Sequence, residues 1–523
     1  MSVTMLRPAP TGRAVRATSP AVLAALFGVL ATVLSATGSW IPSLWGDEAT
    51  SIMSAQRPLS SLFVMLGHVD AVHGAYYLGL HLWGHFFGFS PFSVRLPSAI
   101  AVGLATAAVV VLAARLRDTR TAVVAGLVCA ILPRVTYMGE EARSFAFSAA
   151  IVAWLTVLLI TALGRERPRA GWWVGYGALL AVGTYVFLYT LLFVLVHGVV
   201  IAASRAPRRV VVGWLWAVGC AVVAVVPLLI AAVGQHHQIA YLGVVQQLAP
   251  LTLFSGLWFG GGWPLAIAGW ALVVLAVAME ARRRVLARRA LPAGGPGSRL
   301  FLPVPSSGPS LVLVALTWLL LPTVVLIALQ PIVPDFTARY VSFCAPAVAL
   351  LVACGIDDLL RWRWWAGVVA GGLVLALSVP LYVGQRTLYA KNGSDWAEVS
   401  AAVGANARPG DAVVFDEGAH PSKLPRLALH TYPAGFADTA DVTLAVPFAK
   451  NTTSWRDSAY SVRHAADLGR FDGIDRVWLV EYAATPSTPD HYGVADLTAL
   501  GFHQTGTRIT THHELVALYE RTR

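Results

Sequence analysis

The chain has 523 residues, 57% of them hydrophobic and only 12% charged, and its mean hydropathy is +0.65. Because a soluble domain needs about 25% charged residues to cover its surface, this composition excludes a soluble protein and indicates an integral membrane protein. The net charge of +11 comes from basic residues in short clusters between apolar runs, which is typical of membrane topology rather than of nucleic-acid binding. We therefore expect membrane lipids as partners and no nucleic acid.

Eleven apolar runs follow one another along the chain, and most have close to the roughly 20 residues that a helical span requires. They cover residues 19–38, 94–114, 121–138, 144–163, 172–188, 189–204, 210–233, 263–281, 310–329, 338–356 and 364–384. No cleavage site leads from the first run into a soluble domain, so we expect a retained span rather than a signal peptide. The sequence predicts an α-helical polytopic membrane protein with about 11 transmembrane helices.

The distribution of arginine predicts the orientation of these spans. If the N-terminus is cytoplasmic, twenty of the 26 arginines up to Arg386 fall in cytoplasmic segments, and six are left for the span interiors and the other side. Basic residues are enriched on the cytoplasmic side of membrane proteins. We therefore expect a cytoplasmic N-terminus, with the loops rich in acids and histidine outside the cytoplasm.

The first external loop, residues 39–93, contains two adjacent acids at the mouth of the first span. Asp47 and Glu48 directly follow Trp45 and Gly46. Acids at the end of a span can simply be solvated or cap the next helix. We favour a functional interpretation, because acids near a membrane interface are costly and usually functional. The same loop also carries Asp70, His73 and Tyr76.

Two further groups of polar residues lie on the predicted external side. Glu140, Glu141 and Arg143 lie at the end of the third span, and Arg339 and Tyr340 open the tenth. Together with the acids of the first loop, they are expected to form one external polar site. The histidines and the four cysteines show no convincing ligand spacing, so the sequence predicts no metal site.

Residues 391–523 differ in composition from the membrane part, residues 1–390, and they contain seven of the 14 histidines. Strand-like runs at 411–415 and 476–480 alternate there with helix-like runs such as 395–406. This alternation predicts a small extracytoplasmic α/β domain after the membrane domain.

Three motifs resemble the membrane glycosyltransferases of the GT-C class in their order and spacing. They are Trp-Gly-Asp-Glu-Ala after the first span, Asp-Ala-Val-His-Gly-Ala-Tyr-Tyr before the second, and Glu-Glu-Ala-Arg-Ser-Phe at the outer end of the third, at residues 45–49, 70–77 and 140–145. The chain is most similar to bacterial relatives of protein O-mannosyltransferases and of lipid A aminoarabinose transferase. The Arg339-Tyr340 pair and the soluble domain are similar to actinobacterial members that use decaprenyl-phosphate sugars. Family patterns often have proline after the histidine, where this chain has Gly74.

The resemblance implies an inverting transfer of a sugar from a polyprenyl-phosphate donor to an external glycan, lipid or protein acceptor, in a bacterial plasma membrane. A phosphate leaving group needs no general acid, so one carboxylate acting as base suffices. Retention would usually call for a second carboxylate acting as nucleophile. The resemblance gives the role of base to Asp47, with Glu48 shaping the site or holding the acceptor.

The remaining candidates are expected to bind substrate. Arg339, with Tyr340 nearby, is placed to meet the donor phosphate, although contact with a lipid headgroup explains an arginine at this position equally well. The other expected substrate-binding residues are Asp70, His73, Tyr76, Glu140, Glu141 and Arg143. The resemblance assures no cofactor and leaves a divalent metal open. Mannose and arabinofuranose are both reasonable donor sugars on family grounds, and galactose or glucose stay open.

Two other classes of protein stay open beside the enzyme. A lipid-linked glycan transporter would have a similar number of spans, but it would place ionisable residues inside them, where this chain has few. A non-catalytic envelope assembly subunit could keep the fold and use the C-terminal domain for binding. If the protein is an enzyme, we expect its C-terminal domain to recruit the acceptor or to stabilise the external face of the membrane domain.

Overall fold

The computed structural model describes residues 19–165, 167–238, 248–289, 309–333, 336–483 and 491–522. Each of the eleven apolar runs is helical there. The helices before residue 390 are α1 (Pro20–Ala36), α2 (Gly46–Gln56), α3 (Leu59–Leu66), α4 (Gly74–Phe87), α5 (Pro91–Leu116), α6 (Thr119–Ile131), α7 (Pro133–Gly139), α8 (Phe145–Leu163), α9 (Ala170–Val186), α10 (Phe193–Ala203), α11 (Arg208–Gly234), α12 (Leu257–Phe259), α13 (Trp263–Arg289), α14 (Leu311–Leu329), α15 (Ala345–Trp362) and α16 (Trp364–Gly384).

Seven helices in the described ranges are long and apolar enough to cross a membrane, and the bent pair α6 and α7 gives an eighth when it is counted as one span. Two shorter apolar helices, Pro20–Ala36 and Leu188–Ala203, fall below that length. The protein is therefore a multi-pass membrane protein. The expected number of eleven spans stays a prediction, because these two shorter helices have fewer than the roughly 20 residues that a helical span requires.

A bend separates α6 from α7, where the sequence pattern had indicated one continuous span. The two helices meet at 59°, and Leu132 between them has an extended conformation. Proline disfavours helical geometry in the residue before it, so Pro133 ends α6 and starts a new helix. Beyond the bend α7 packs against α1 and α5, and Glu140 and Glu141 directly follow its last residue.

The C-terminal region, residues 391–522, folds as an α/β unit. Its elements are α17 (Trp396–Gly404), β1 (Asp411–Phe415), α18 (Leu427–Thr431), β2 (Thr439–Asp441), β3 (Leu444–Val446), β4 (Ser458–Ala459), α19 (Val462–Asp467), β5 (Arg476–Tyr482), α20 (Val494–Ala499), β6 (Phe502–Thr510) and β7 (Glu514–Arg521). The main sheet has the order β2-β1-β5-β7-β6, parallel from β2 to β5 and antiparallel beyond. The predicted α/β class of this region is confirmed.

Both faces of this sheet are buried, because side chains that alternate along each strand enter two different cores. Along β1, Val413 and Phe415 belong to one core, and Ala412 and Val414 belong to the other. The first core also contains Ala49 and Met53 of α2. The C-terminal region therefore packs directly on the helix that begins at Gly46.

Candidate functional site

A cavity of about 1570 Å³ lies between the membrane helices and the C-terminal region. Its volume exceeds the roughly 300–1,000 Å³ of an ordinary ligand pocket. Seven of the ten predicted site residues line it, namely Asp47, Asp70, His73, Glu141, Arg143, Arg339 and Tyr340. The other three, Glu48, Tyr76 and Glu140, are buried and are not among its lining residues.

Asp47 is the second residue of α2 and faces the cavity with a side chain that is 18% exposed. Its Oδ2 atom accepts a hydrogen bond from Arg339 Nη1 and lies 3.9 Å from Arg143 Nε. The positive end of the α2 dipole and these two guanidinium groups surround the Asp47 carboxyl group with positive charge. Arg339 also lies over the Trp45 ring, 5.5 Å from its centroid, so that Trp45 helps to fix the arginine beside Asp47.

Arg143 connects Asp47 to the second motif of the first loop. Its Nη1 atom donates to the Asp47 carbonyl oxygen and the Ser51 hydroxyl, each at 3.4 Å. Its Nη2 atom lies 3.3 Å from His73 Nε2. Burial and the neighbouring charges of Arg143 and Arg339 hold the pKa of His73 well below its usual value. His73 is therefore neutral, and its Nε2 atom accepts from Arg143.

Asp70 lies in the left-handed conformation, with φ of 59°, just before a short 3₁₀ turn. Its Oδ2 atom accepts a hydrogen bond of 3.0 Å from the Tyr77 hydroxyl, and its backbone N–H donates to Gln238, four residues beyond the end of α11. Burial raises the pKa of Asp70, while the charge of Arg143 opposes the shift. These contacts hold the 70–73 turn at the cavity wall.

Glu48 points away from the cavity, because neighbouring helical residues are separated by about 100° around the axis. Arg95 donates to both carboxylate oxygens, from Nε at 2.7 Å and from Nη2 at 2.5 Å, and both side chains are fully buried. The backbone N–H of Ala142 donates to Glu48 Oε1 at 2.9 Å. Glu48 thus connects α2, α5 and the 140–144 loop.

Glu140 and Glu141 also differ in their surroundings. Glu140 is fully buried between Arg386, at 3.3 Å, and Lys391, at 3.5 Å. Glu141 lines the cavity, and burial raises the pKa of its carboxyl group against the opposing charges of Lys391 and Arg339. Lys391 Nζ lies 3.4 Å from the centre of the Tyr137 ring, so Lys391 joins the start of the C-terminal region to α7.

The two tyrosines in the predicted set lie in aromatic clusters. Tyr76 is buried against Phe147, with ring centroids 5.9 Å apart, and contributes to the core under the first loop. Tyr340 lies at the cavity wall and packs against Tyr189 and Phe187, at 5.5 and 6.1 Å. Tyr340 therefore lies beside Arg339 on an aromatic surface that faces the cavity.

This arrangement can be compared with known proteins. Residues 76–230 match the family of dolichyl-phosphate-mannose-protein mannosyltransferases. The structure of ArnT from Cupriavidus metallidurans in the apo state is similar over 94% of this chain and 97% of ArnT, with 13% identity and a TM-score of 0.57. The same enzyme bound to undecaprenyl phosphate gives the same coverage, 14% identity and a TM-score of 0.55. This chain has the GT-C fold.

The GT-C fold of this chain is also similar to arabinofuranosyltransferase AftD from Mycobacteria, over 96% of this chain but only 39% of AftD, with 14% identity and a TM-score of 0.50. No curated protein sequence is significantly similar to the chain. The fold class that the three sequence motifs predicted is therefore confirmed. At these identities the structural likeness establishes the fold alone.

The fold also brings together, at this site, residues that the sequence motifs did not indicate. The chain has 35 arginines but only three lysines, and Lys391 lies just after the last apolar run. A lysine that is rare in the chain and stands at this position is a signal that could have identified it. Arg134 lines the cavity and donates to the carbonyl oxygens of Gly256 and Leu257, at 2.8 and 2.6 Å. The C-terminal region contributes His420, Pro421, Ser422, Ser454, Trp455 and Arg456.

The described residues contain no group of three or more His, Cys, Asp or Glu side chains arranged to hold a metal ion. Within the cavity Asp47 is instead paired with the guanidinium group of Arg339, and Asp70 accepts a hydrogen bond from Tyr77. The divalent metal that the sequence resemblance leaves open therefore stays a question for experiment. Transfer assays with and without EDTA address it directly.

Proposed function

We propose that this protein is an inverting glycosyltransferase that moves a sugar from a polyprenyl-phosphate donor to an acceptor on the extracytoplasmic side of a bacterial plasma membrane. The family match and the fold support a lipid-linked sugar transfer. One of the similar structures holds undecaprenyl phosphate, which is the product that such a donor leaves behind. The observation that carries the proposal is the Asp47–Arg339 pair in the cavity wall.

In the proposed reaction, Asp47 takes the proton from an acceptor hydroxyl as its oxygen forms a bond to the anomeric carbon of the donor sugar. On the opposite face, the bond between that carbon and the phosphate oxygen breaks, and its electron pair leaves with polyprenyl phosphate. Phosphate is a good leaving group without a proton, so the site needs one base and no general acid. A single displacement inverts the anomeric centre.

Arg339 is the proposed partner of the donor phosphate. A guanidinium group forms charge-assisted hydrogen bonds to phosphate oxygens, and these also stabilise the charge that develops on the leaving group. Arg143 is proposed to orient Asp47, because its Nε atom lies 3.9 Å from Asp47 Oδ2 and its Nη1 atom donates to the Asp47 carbonyl oxygen. Glu48 and Glu140 are proposed to position these groups, because their buried ion pairs fix the segments that carry them.

The cavity is large enough for a lipid-linked donor and an acceptor together. Its lining includes apolar residues of the membrane part, which suit a polyprenyl chain, namely Leu188, Leu229, Val233, Val333 and Leu381. The lining also includes the charged groups around Asp47. We propose that the isoprenoid lies along these apolar residues with its phosphate at Arg339.

A panel of radiolabelled polyprenyl-phosphate sugars, incubated with membranes that contain the protein, tests the proposal. We expect one donor class to release polyprenyl phosphate and to label an endogenous acceptor, while matched membranes without the protein do neither. A transporter or an assembly subunit would bind donor without cleaving it. No cleavage of mannosyl, arabinofuranosyl, glucosyl or galactosyl donors by correctly folded protein would overturn the proposal.

A further inference from the structure

Besides Asn392, the C-terminal region contributes two short segments to the cavity lining. We refer to residues 420–422 and 454–456 together as the C-terminal wall. All six residues line the same cavity as Asp47 and Arg339. None of them was indicated by the sequence motifs, and the proposed reaction assigns no role to them.

The 454–456 segment is held by the helix that carries Asp47. Arg57, at the C-terminal end of α2, is fully buried and donates to the carbonyl oxygens of Asn451 and Ser454, at 2.9 and 2.7 Å. Burial lowers the pKa of Arg57 to about 10, so the guanidinium group stays charged at neutral pH. Ser61 adds a hydrogen bond of 2.6 Å to the Ala449 carbonyl oxygen.

The 420–422 segment contacts the other end of the same helix. A Cβ atom added at Gly46 would overlap the carbonyl oxygen and the side chain of Ser422, so the two backbones touch only because residue 46 is glycine. Gly46 directly precedes Asp47. Both segments of the C-terminal wall are therefore fixed relative to the proposed base by one 11-residue helix.

The chemistry of the C-terminal wall suits a sugar. Trp455 offers a half-buried indole ring, on which the C–H face of a sugar can pack. Arg456 offers a guanidinium group whose side chain is 35% exposed and whose Nη1 atom lies 4.0 Å from Glu417, and Ser422 and Ser454 offer hydroxyl groups. These are the donors and acceptors that bind sugar hydroxyls.

Other acceptor classes fit this wall less well. One recurring way to bind an extended peptide is to add it as a strand to a sheet edge. The wall consists of loop and 3₁₀ segments, and no described strand of the C-terminal region is among the cavity-lining residues. An acyl chain would need a continuous apolar surface, whereas the wall contains Arg456, Ser422 and Ser454.

We propose that the C-terminal wall is the acceptor subsite and that the acceptor is a glycan, bound with a sugar ring against Trp455 and with hydroxyls at Arg456, Ser422 and Ser454. The inference rests on the proposed glycosyltransferase function. It makes the C-terminal region part of the transfer site, with the accepting hydroxyl directed to Asp47.

Kinetics with soluble glycans test the subsite. The probes are octyl glycosides of mono- and disaccharides, used with the donor that the radiolabelled panel identifies. For Trp455→Ala and Arg456→Ala we expect the KM for the glycoside to rise about tenfold, and the KM for the donor to change less than twofold. Trp455→Phe should recover part of the glycoside affinity, because it keeps an aromatic face.

Two matched variants control for general effects on the C-terminal region. Tyr460→Ala removes a half-buried aromatic ring, and Arg463→Ala removes an exposed guanidinium group, both outside the cavity lining. Both should leave the glycoside KM within twofold of wild type. An unchanged glycoside KM in Trp455→Ala and Arg456→Ala would overturn the inference, as would transfer to peptides but not to glycosides.

Hydrolysis of the donor needs no acceptor, so it separates the proposed acceptor subsite from the proposed glycosyltransferase function. If wild-type protein cleaves the donor and the wall variants do not change the glycoside KM, the acceptor subsite is wrong and the glycosyltransferase proposal stands. If wild-type protein cleaves no donor of the panel, the proposed function fails and the subsite fails with it.

Discussion

Asp47 and Glu48 are neighbours in the chain but have different partners. Asp47 shares the cavity wall with Arg339, whereas Glu48 is fully buried in a bidentate ion pair with Arg95. The sequence identified both acids as candidates for the site. It could not tell which one faces the cavity, because that depends on the rotation of α2 against α5.

Glu48→Gln should chiefly lower stability. It would leave the buried Arg95 without its countercharge, and breaking a buried ion pair typically costs about 3–5 kcal/mol. We expect a lower midpoint of thermal unfolding in detergent, and a smaller loss of turnover per folded molecule than in Asp47→Asn. Glu280→Gln, which breaks a partly exposed pair with Arg284, is the matched control and should cost about 0.5 kcal/mol or less. Equal unfolding midpoints for the two variants would contradict the stabilising role of the Glu48–Arg95 ion pair.

Asp70 should make stability depend on pH. Its pKa is raised by burial in the folded protein, so the folded state binds its proton more tightly than the unfolded state does. Stability therefore falls as pH rises from the usual carboxyl range through the raised pKa, and the loss is complete above it. Asp70→Asn should not show this loss of stability. Its midpoints of thermal unfolding, measured between about pH 4 and pH 8, should therefore vary less than those of the wild type. A pH dependence identical to wild type would contradict the raised pKa.

Among the elements, α2 connects the membrane helices with the C-terminal region. Its first residue contacts Ser422, its middle packs into the core of the C-terminal region through Ala49 and Met53, and its last turn leads to Arg57. The sequence predicted the polar site in the first loop. It did not predict this packing, because the segments that contact α2 are nearly 400 residues away in the chain.

Gly46→Ala tests the contact between α2 and the C-terminal region. The added methyl group overlaps the Ser422 carbonyl oxygen, and overpacking of this kind typically costs about 1–3 kcal/mol. We expect a lower unfolding midpoint together with reduced transfer, since the wall and Asp47 would both shift. Gly175→Ala, in α9, meets open space and should be neutral or slightly stabilising. Wild-type behaviour of Gly46→Ala would show that the contact is not this close.

Sequence patterns predicted the helices better than their breaks. Period and length placed a helix at each of the eleven apolar runs, because burial in lipid or protein requires a long apolar segment. The proline at residue 133 predicts a break in the helix, but the angle of the bend depends on packing against α1 and α5. Likewise, alternation predicted strands in the C-terminal region, whereas the order β2-β1-β5-β7-β6 depends on contacts between distant segments.

At the scale of the molecule, the proposal requires the cavity to open on the extracytoplasmic side. The arginine distribution supports this orientation. Thr452→Cys places a thiol at an exposed position of the C-terminal region. An impermeant maleimide should label it in intact cells. The parent protein should give only background labelling, because three of its four cysteines are buried and Cys220 lies within the apolar helix α11. Labelling that requires lysis would contradict the orientation.

Turnover of Asp47→Asn tests the central proposal most directly. The amide keeps the shape of the side chain but cannot take the proton, and a positioned base typically contributes about 10²- to 10⁴-fold to the rate. We expect turnover per folded molecule to fall by that factor while polyprenyl phosphate still binds, because Arg339 remains. Asp438→Asn, at an exposed position outside the cavity lining, should turn over like wild type. Near-normal turnover in well-folded Asp47→Asn would contradict the role of Asp47 as the base.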